Sequence, residues 1–286
     1  ARAVAKGKPE ASKEDFEYET IRVADEIQNA LYSLKVTIER CIAQIGATEY
    51  MGYIGKGDPF RVNLSTLQKY KGSRDPNDKP ILKDELINYL VKYHNAILVS
   101  DLPTHPEYKE PLEADDWVNI ECYKDIENSV AITNDKDAGG CGIKTLDPTD
   151  KEGKIMDNSG FGKIWRDEKG DVRGYGRKFF YFQVMYGDPV DDYSSYLHSD
   201  TPWGPVSAFN HLETADDDLE CLYRLREGFK LLYPEPKEIV SWQGDPIIID
   251  WFYVFNEMWQ MARMLRTIDD VVDLRAVLEK HDLWED

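Results

Sequence analysis

Two short apolar runs constrain this chain most: Ala96-Ile97-Leu98-Val99, and Val130-Ala131-Ile132 within the stretch from Ser129 to Thr133. Neither alternates apolar with polar residues, so each reads as a strand buried on both faces, the pattern of a parallel sheet covered by helices. Parallel neighbours need long crossovers, and helical patterns stand where crossovers belong. From Phe16 to Ile45 the residues Ile21, Ala24, Ile27, Leu31, Leu34, Ile38, Ile42 and Ile45 recur every three or four positions, predicting a long amphipathic helix that ends near Gly46. Glu49 to Ile54 reads as a short strand, and the turn Gly55-Lys56-Gly57-Asp58 follows it. A second helix is predicted from Pro80 to about Tyr93, with Ile81, Leu86, Leu90 and Val91 turned inward. The expected fold is α/β, a mainly parallel sheet flanked by helices.

Beyond the second apolar run the pattern changes. Residues Asp147 to Arg177 are rich in glycine and charge, and fit either short strands or an ordered loop. Helical periodicity resumes at Tyr181 to Tyr186 and continues through Trp203 to Leu212, Leu219 to Leu232, Ile247 to Leu265 and Val271 to His281. These stretches predict an α/β domain over residues 1–186 followed by an all-α region over 187–286. No run of about 18 apolar residues is present, so no span of a membrane is expected. Ala1 to Ser12 is polar and contains no apolar segment, unlike a secretory signal, which predicts a soluble, cytoplasmic protein. The cysteines Cys41, Cys122, Cys141 and Cys221 stand far apart with no Cys-x-x-Cys pair, the pattern of reduced thiols.

Carboxylates gather at three places in this pattern. Leu112-Glu113-Ala114-Asp115-Asp116-Trp117 puts three acids just ahead of an apolar helical run; Asp135 and Asp137 follow the second apolar strand; Asp188 and Asp191 follow a helix. Acids so close repel one another unless solvated or neutralised by a cation. Taken singly, each cluster reads as a helix cap or a polar turn. In parallel α/β sheets, however, loops at the carboxyl ends of the strands converge on one crevice. Hard oxygen donors without nearby histidine or cysteine suit Mg²⁺ or Mn²⁺ rather than zinc, and two such ions would act on a phosphodiester. A formal net charge of −19 argues against a generally basic nucleic-acid surface. One local basic loop stands out against it: Lys69-Tyr70-Lys71-Gly72-Ser73-Arg74, with Lys79 and Lys83 beyond. Lys71 and Arg74 offer two cations to phosphates, and Tyr70 offers a ring on which a base could stack.

Four segments in order carry a resemblance: Tyr70-Lys71-Gly72-Ser73-Arg74, Leu112-Glu113-Ala114-Asp115-Asp116, Thr133-Asn134-Asp135-Lys136-Asp137 and Tyr186-Gly187-Asp188-Pro189-Val190-Asp191. Together they resemble the motifs of the flap endonuclease family, most closely the bacteriophage-type 5′-to-3′ exonucleases. The resemblance implies a PIN-like nuclease domain with a helical arch, and a helix-three-turn-helix over Asp188 to Leu212 that grips duplex DNA by its backbone. It implies two metal ions, one held by Glu113, Asp115, Asp116 and Asp135, the second by Asp137, Asp188 and Asp191. Lys71 and Arg74 would contact the scissile phosphate, with Tyr70 as the stacking platform and Lys69, Lys79 and Lys83 on the DNA. The implied substrate is DNA with 5′ ends, flaps or duplex junctions, or an RNA–DNA hybrid, cut by a monomer in phage replication or DNA degradation within a bacterial host cell.

The chain departs from that pattern in three places. Family members begin with a strand bearing a metal-site aspartate, whereas this chain starts at Ala1 and is expected to enter its first helix directly. Gly55 stands where the family has an aspartate at the end of the second strand, with Asp58 nearby but out of register. The glycine-rich hairpin after Asp191, where a K⁺ site is implied, keeps only Gly204. These departures leave two alternatives to a nuclease: a catalytically impaired, DNA-binding relative, and an acidic protein whose carboxylates bind calcium structurally.

Overall fold

A computed structural model describes residues 23, 24, 26–75 and 79–284. The chain is mixed α/β, built of helices and small separate sheets. Helix α1 (Ile27–Ile45) ends where the sequence places its stop, with Gly46 left-handed at φ 62°. The expected start at Phe16, and Ile21 with it, lie outside the described residues; Ala24 is exposed and not helical. Strand β1 (Tyr53–Ile54) pairs in parallel with β2 (Ile97–Leu98), which follows helix α3 (Lys83–His94); the one-turn helix α2 (Arg61–Leu64) comes between β1 and α3. Ile81 precedes α3 and is exposed. Leu86 and Leu90 define the half-buried stripe of α3, and Val91, about 100° further round the helix, is exposed too.

Helix α4 (Ala114–Lys124) leads to β3 (Ala131–Ile132), which pairs in parallel with β4 (Lys144–Leu146); β4 in turn pairs antiparallel with β5 (Ile155–Asp157). A mainly parallel sheet was expected, but among the described residues only these two short pairs are parallel, and no hydrogen bonds join them into one sheet. Each apolar run gives way at once to a tight turn: a 3₁₀ turn at Val99–Asp101 after β2, and a second at Lys136–Gly140, capped by Asp135, after β3. The glycine-rich stretch resolves into strands, with β6 (Lys163–Arg166) and β7 (Val172–Tyr175) forming an antiparallel hairpin. Gly162 in front of it has φ +74°, and a Cβ there would lie 1.9 Å from the Tyr175 carbonyl oxygen.

Helix α5 (Arg177–Tyr186) is followed by a two-residue antiparallel pair, β8 (Gly187–Asp188) with β9 (Tyr193–Ser194), then α6 (Pro205–Leu212) and α7 (Asp218–Leu232). The last part is not all-α. Strands β10 (Lys237–Val240) and β11 (Pro246–Ile249) form an antiparallel hairpin before α8 (Trp251–Ala262) and α9 (Leu274–Lys280). Ile247 is therefore in a strand, not in a helix. The β-branched run Ile247-Ile248-Ile249 follows a turn with Gly244 at φ +98°, and Asp250 then caps α8 by accepting from the Tyr253 backbone N–H.

The largest core packs α5, α7 and α8 together, with Phe229 stacked on Phe255 at 4.7 Å and Val184, Met185, Leu225 and Met258 fully enclosed. Tyr70 and Phe182 belong to this same core, which therefore continues across the boundary expected at 186/187. A second core of Phe60, Val99, Leu112, Trp117, Ile120 and Leu265 seats α4. Among the described residues no helix is long and apolar enough to cross a membrane.

Candidate metal centre

The acidic cluster begins with a division of labour between neighbours. Asp116, in the first turn of α4, is fully buried and takes four N–H donors: Arg61 Nη1 at 2.6 Å and Nη2 at 2.9 Å, and the backbone of Glu113 and Leu265 at 3.1 Å each. Arg61, itself buried, donates further to the carbonyls of Met261 at 3.2 Å and Arg263 at 2.7 Å and to Glu113 Oε2 at 2.9 Å. Asp116, expected among the metal ligands, is thus committed to the join between α4 and the end of α8, and it does not line the cavity in front of the helix. Helical geometry explains this, since Asp115 points about 100° away from Asp116 and lines that cavity instead.

A cavity of about 430 Å³ opens there. Six of the seven expected carboxylates line it: Glu113 and Asp115 from the head of α4, Asp135 and Asp137 from the turn after β3, Asp188 and Asp191 from the turn after α5. Lys71, Arg74 and Tyr70 line it as well. Three loops far apart in sequence therefore meet the basic loop in one concavity.

Side-chain cations occupy several of these acids. Lys71 Nζ bonds Glu113 Oε1 and lies 3.5 Å from Asp191 Oδ2, and Arg74 pairs with Asp191 Oδ1. Lys136 Nζ sits 2.8 Å from Asp188 Oδ2. Burial works against the charge on Lys136, but Asp188, Asp137 and Asp135 together raise its pKa. Counting Asp116 with the six lining carboxylates, seven acids face Arg61, Lys71, Arg74 and Lys136 and leave three negative charges in excess when all are ionised. That excess shows in two groups. Burial and then Asp135 push the Asp137 carboxyl up to about 7. Desolvation, followed by Asp135, Glu113 and Asp116, pushes Asp115 up to about 6; its side chain is open to solvent, so the repulsion is the firmer part of that rise.

Tyr70 differs from expectation. Its ring is 5% exposed and lies within the core, too enclosed to stack on a base from solvent. Instead its hydroxyl stands 3.0 Å from both Glu113 Oε2 and Asp191 Oδ2, one proton between two acceptors. Burial, then Glu113, holds that hydroxyl far above its ordinary pKa, so it stays protonated and can donate. Lys69, Lys79 and Lys83 are exposed and outside the cavity, Lys69 lying over the Trp242 ring at 5.6 Å. Gly55 and Asp58 are also exposed and line none of it.

Sequence reasoning missed four contributors. Arg61 sits in a loop-like stretch with no pattern to mark it, and Lys136 is masked by the acids on either side. Asp192 accepts from Ser73 N at 2.8 Å and Ser73 Oγ at 2.7 Å, clasping the basic loop to the turn after α5. Glu257 of α8 accepts from the backbone N–H groups of Thr66 at 3.0 Å and Leu67 at 3.1 Å, fixing the start of the same loop. Asp192 directly follows Asp191 in the sequence, the one signal that marks it.

The all-oxygen donor set fits a hard divalent cation. Among the described residues no three acidic, histidine or cysteine side chains converge on a single point. Mg²⁺ typically takes only one or two carboxylates and keeps several waters, so Asp115 with Asp135, or Asp137 with Asp188, suits it. No family model, no curated protein and no solved structure matches this chain.

Proposed function

We propose that this protein is a divalent-metal-dependent nuclease that hydrolyses DNA phosphodiesters at 5′ ends or flaps, in phage DNA replication or degradation. The observation that carries the reading is the meeting of six carboxylates from three separate loops with Lys71 and Arg74 in one cavity. The ordered motifs resembling the flap endonucleases supply the polarity and the substrate; the cavity supplies the chemistry.

Asp115, Asp135, Asp137 and Asp188 would hold Mg²⁺ or Mn²⁺, which supplies Lewis-acid stabilisation of the charge on a phosphoryl group. Lys71 and Arg74 bind the phosphate oxygens and orient the bond to be cut. Tyr70 donates within the carboxylate pair and holds Glu113 and Asp191 in place. Glu257 and Asp192 position the basic loop from behind. The segment from Asp188 to Leu212, a small hairpin followed by α6, is where duplex DNA would rest.

The test uses protein expressed from its complete reading frame with a 5′-flap duplex and Mg²⁺. Cleavage is expected, reduced about a hundredfold or more in Asp137→Asn. Absence of cleavage by the unaltered protein would overturn the reading. Gly55, exposed and outside the cavity where the resemblance implies an aspartate, favours one second reading, a relative that binds flaps without cutting them. It predicts flap binding unchanged by Asp137→Asn and no product under any divalent metal.

A further inference from the structure

The hairpin β6–β7 has two unlike faces. Strand pleating puts Ile164 and Gly174 on the side toward α5, where Ile164 is buried and a Cβ on Gly174 would meet both Ile164 Cγ2 and the Phe179 ring. Lys163, Trp165, Arg173 and Tyr175 share the other side, because Lys163 stands across the ribbon from Tyr175 and Trp165 across from Arg173. Two rings and two cations therefore alternate on one outward face. Trp165 is 40% exposed, the most open of the chain's seven tryptophans. Its ring meets that of Tyr175 edge-on at 6.3 Å, and Lys163 Nζ lies 5.5 Å from its centre.

Cross-strand rings stabilise a lone two-stranded ribbon. This ribbon is anchored from its other side, through Ile164 and Phe179 in the main core, so folding does not call for the outward pair. Charge and position narrow what the face fits. From Lys163 to Arg173 four basic residues stand against three acidic ones, in a chain of net charge −19. Asp167 and Asp171 hold Arg173 at 2.9 and 3.3 Å near the tip, at the far end from Lys163. The base of the ribbon adjoins the turn that carries Asp137: the Gly176 N–H, directly after β7, donates to the Gly139 carbonyl at 2.8 Å, and β7 also packs against α6. Rings beside a cation suit a single strand, whose unpaired bases offer faces that a duplex hides and whose phosphates meet the charge.

We propose that the outward face of β6–β7 binds single-stranded nucleic acid, with Trp165 and Tyr175 as its stacking rings and Lys163 on the backbone phosphate. The choice of nucleic acid as the polyanion rests on the nuclease reading; the binding itself needs neither metal nor cleavage.

Fluorescence anisotropy with a labelled oligothymidylate in EDTA tests it. Saturable binding is expected, weakened about tenfold or more in Trp165→Ala. Lys163→Gln, which keeps both rings, should flatten the fall of log affinity with log salt by about 0.7. Both residues are exposed, and an unchanged thermal midpoint certifies folding in each variant. A blunt duplex of the same length should bind Trp165→Ala as well as it binds the unaltered protein. No saturable binding of the oligothymidylate, or indifference to either variant, overturns the proposal; an equal loss on the duplex assigns the face to duplex DNA and overturns it too. Cleavage of the 5′-flap duplex is read separately. A protein that cuts the flap but binds the single strand regardless of Trp165 fails here alone, and one that binds through Trp165 without cutting fails only as a nuclease.

Discussion

Removing the Asp116 carboxylate, as in Asp116→Ala, should cost the fold about 3–5 kcal/mol, because Arg61 would be left buried and charged without its main partner. The adjacent substitution should do the reverse: Asp115→Asn removes a carboxylate held among three others and should raise the stability of the metal-free protein at pH 7.5. Urea unfolding of the two variants, side by side, checks both signs. The same repulsion sets a pH dependence. Asp115 and Asp137 hold their protons more tightly folded than unfolded, where the ordinary value is 3.8. Between about pH 4 and 7 the folded chain therefore carries protons that unfolding releases, so their contribution to stability is greatest at the acid end and falls as pH rises through 6 and 7. Divalent cations must displace those protons, so Mn²⁺ affinity should climb across the same window and level off above it. Calorimetric titration from pH 5 to 8 measures this, and a flat profile would contradict it. The sequence could point to the acids but not divide them. Asp115 and Asp116 look alike in the chain, and only packing against Arg61, some fifty residues away, separates them.

At the level of elements, α7 packs against Met185 of α5 and His211 of α6 at a glycine. A Cβ on Gly228 would lie 2.7 Å from Met185 Sδ and 3.0 Å from His211 Nε2. Alanine normally favours a helix by about 1 kcal/mol over glycine, but here overpacking should outweigh that gain and leave Gly228→Ala destabilised by about 1–3 kcal/mol. Thermal unfolding gives the answer directly. Helices proved the more legible elements, because periodicity over ten or more residues survives local exceptions: α1 stops at Gly46 and α4 starts at the acidic cluster as read. Strands of two to four residues carry too few positions for a pattern, so β11 reads as the start of the helix that follows it, and β10 falls between two predicted helices without a signal of its own. Ile247, Ile248 and Ile249 continue apolar into Trp251 and Phe252, and only Asp250 marks the break.

For the whole molecule, the shared core of Tyr70, Phe182, Phe229 and Phe255 predicts one cooperative unfolding transition, with circular dichroism and tryptophan fluorescence coinciding. Two separated transitions would instead mark residues 1–186 and 187–286 as independent units. Three loops of acids could be paired with one basic loop from sequence because each carries its own local signature. Their supports, Arg61, Asp192 and Glu257, could not, since each acts on residues far from it along the chain. The ion pairs in the carboxylate cavity have a last consequence. Lys71, Arg74 and Lys136 make it resemble an ion-exchange resin loaded with its own tethered counterions. A divalent ion taking the place of Lys136 at Asp188 would release that tethered cation for an incoming polyanion, so metal loading and anion uptake should each strengthen the other.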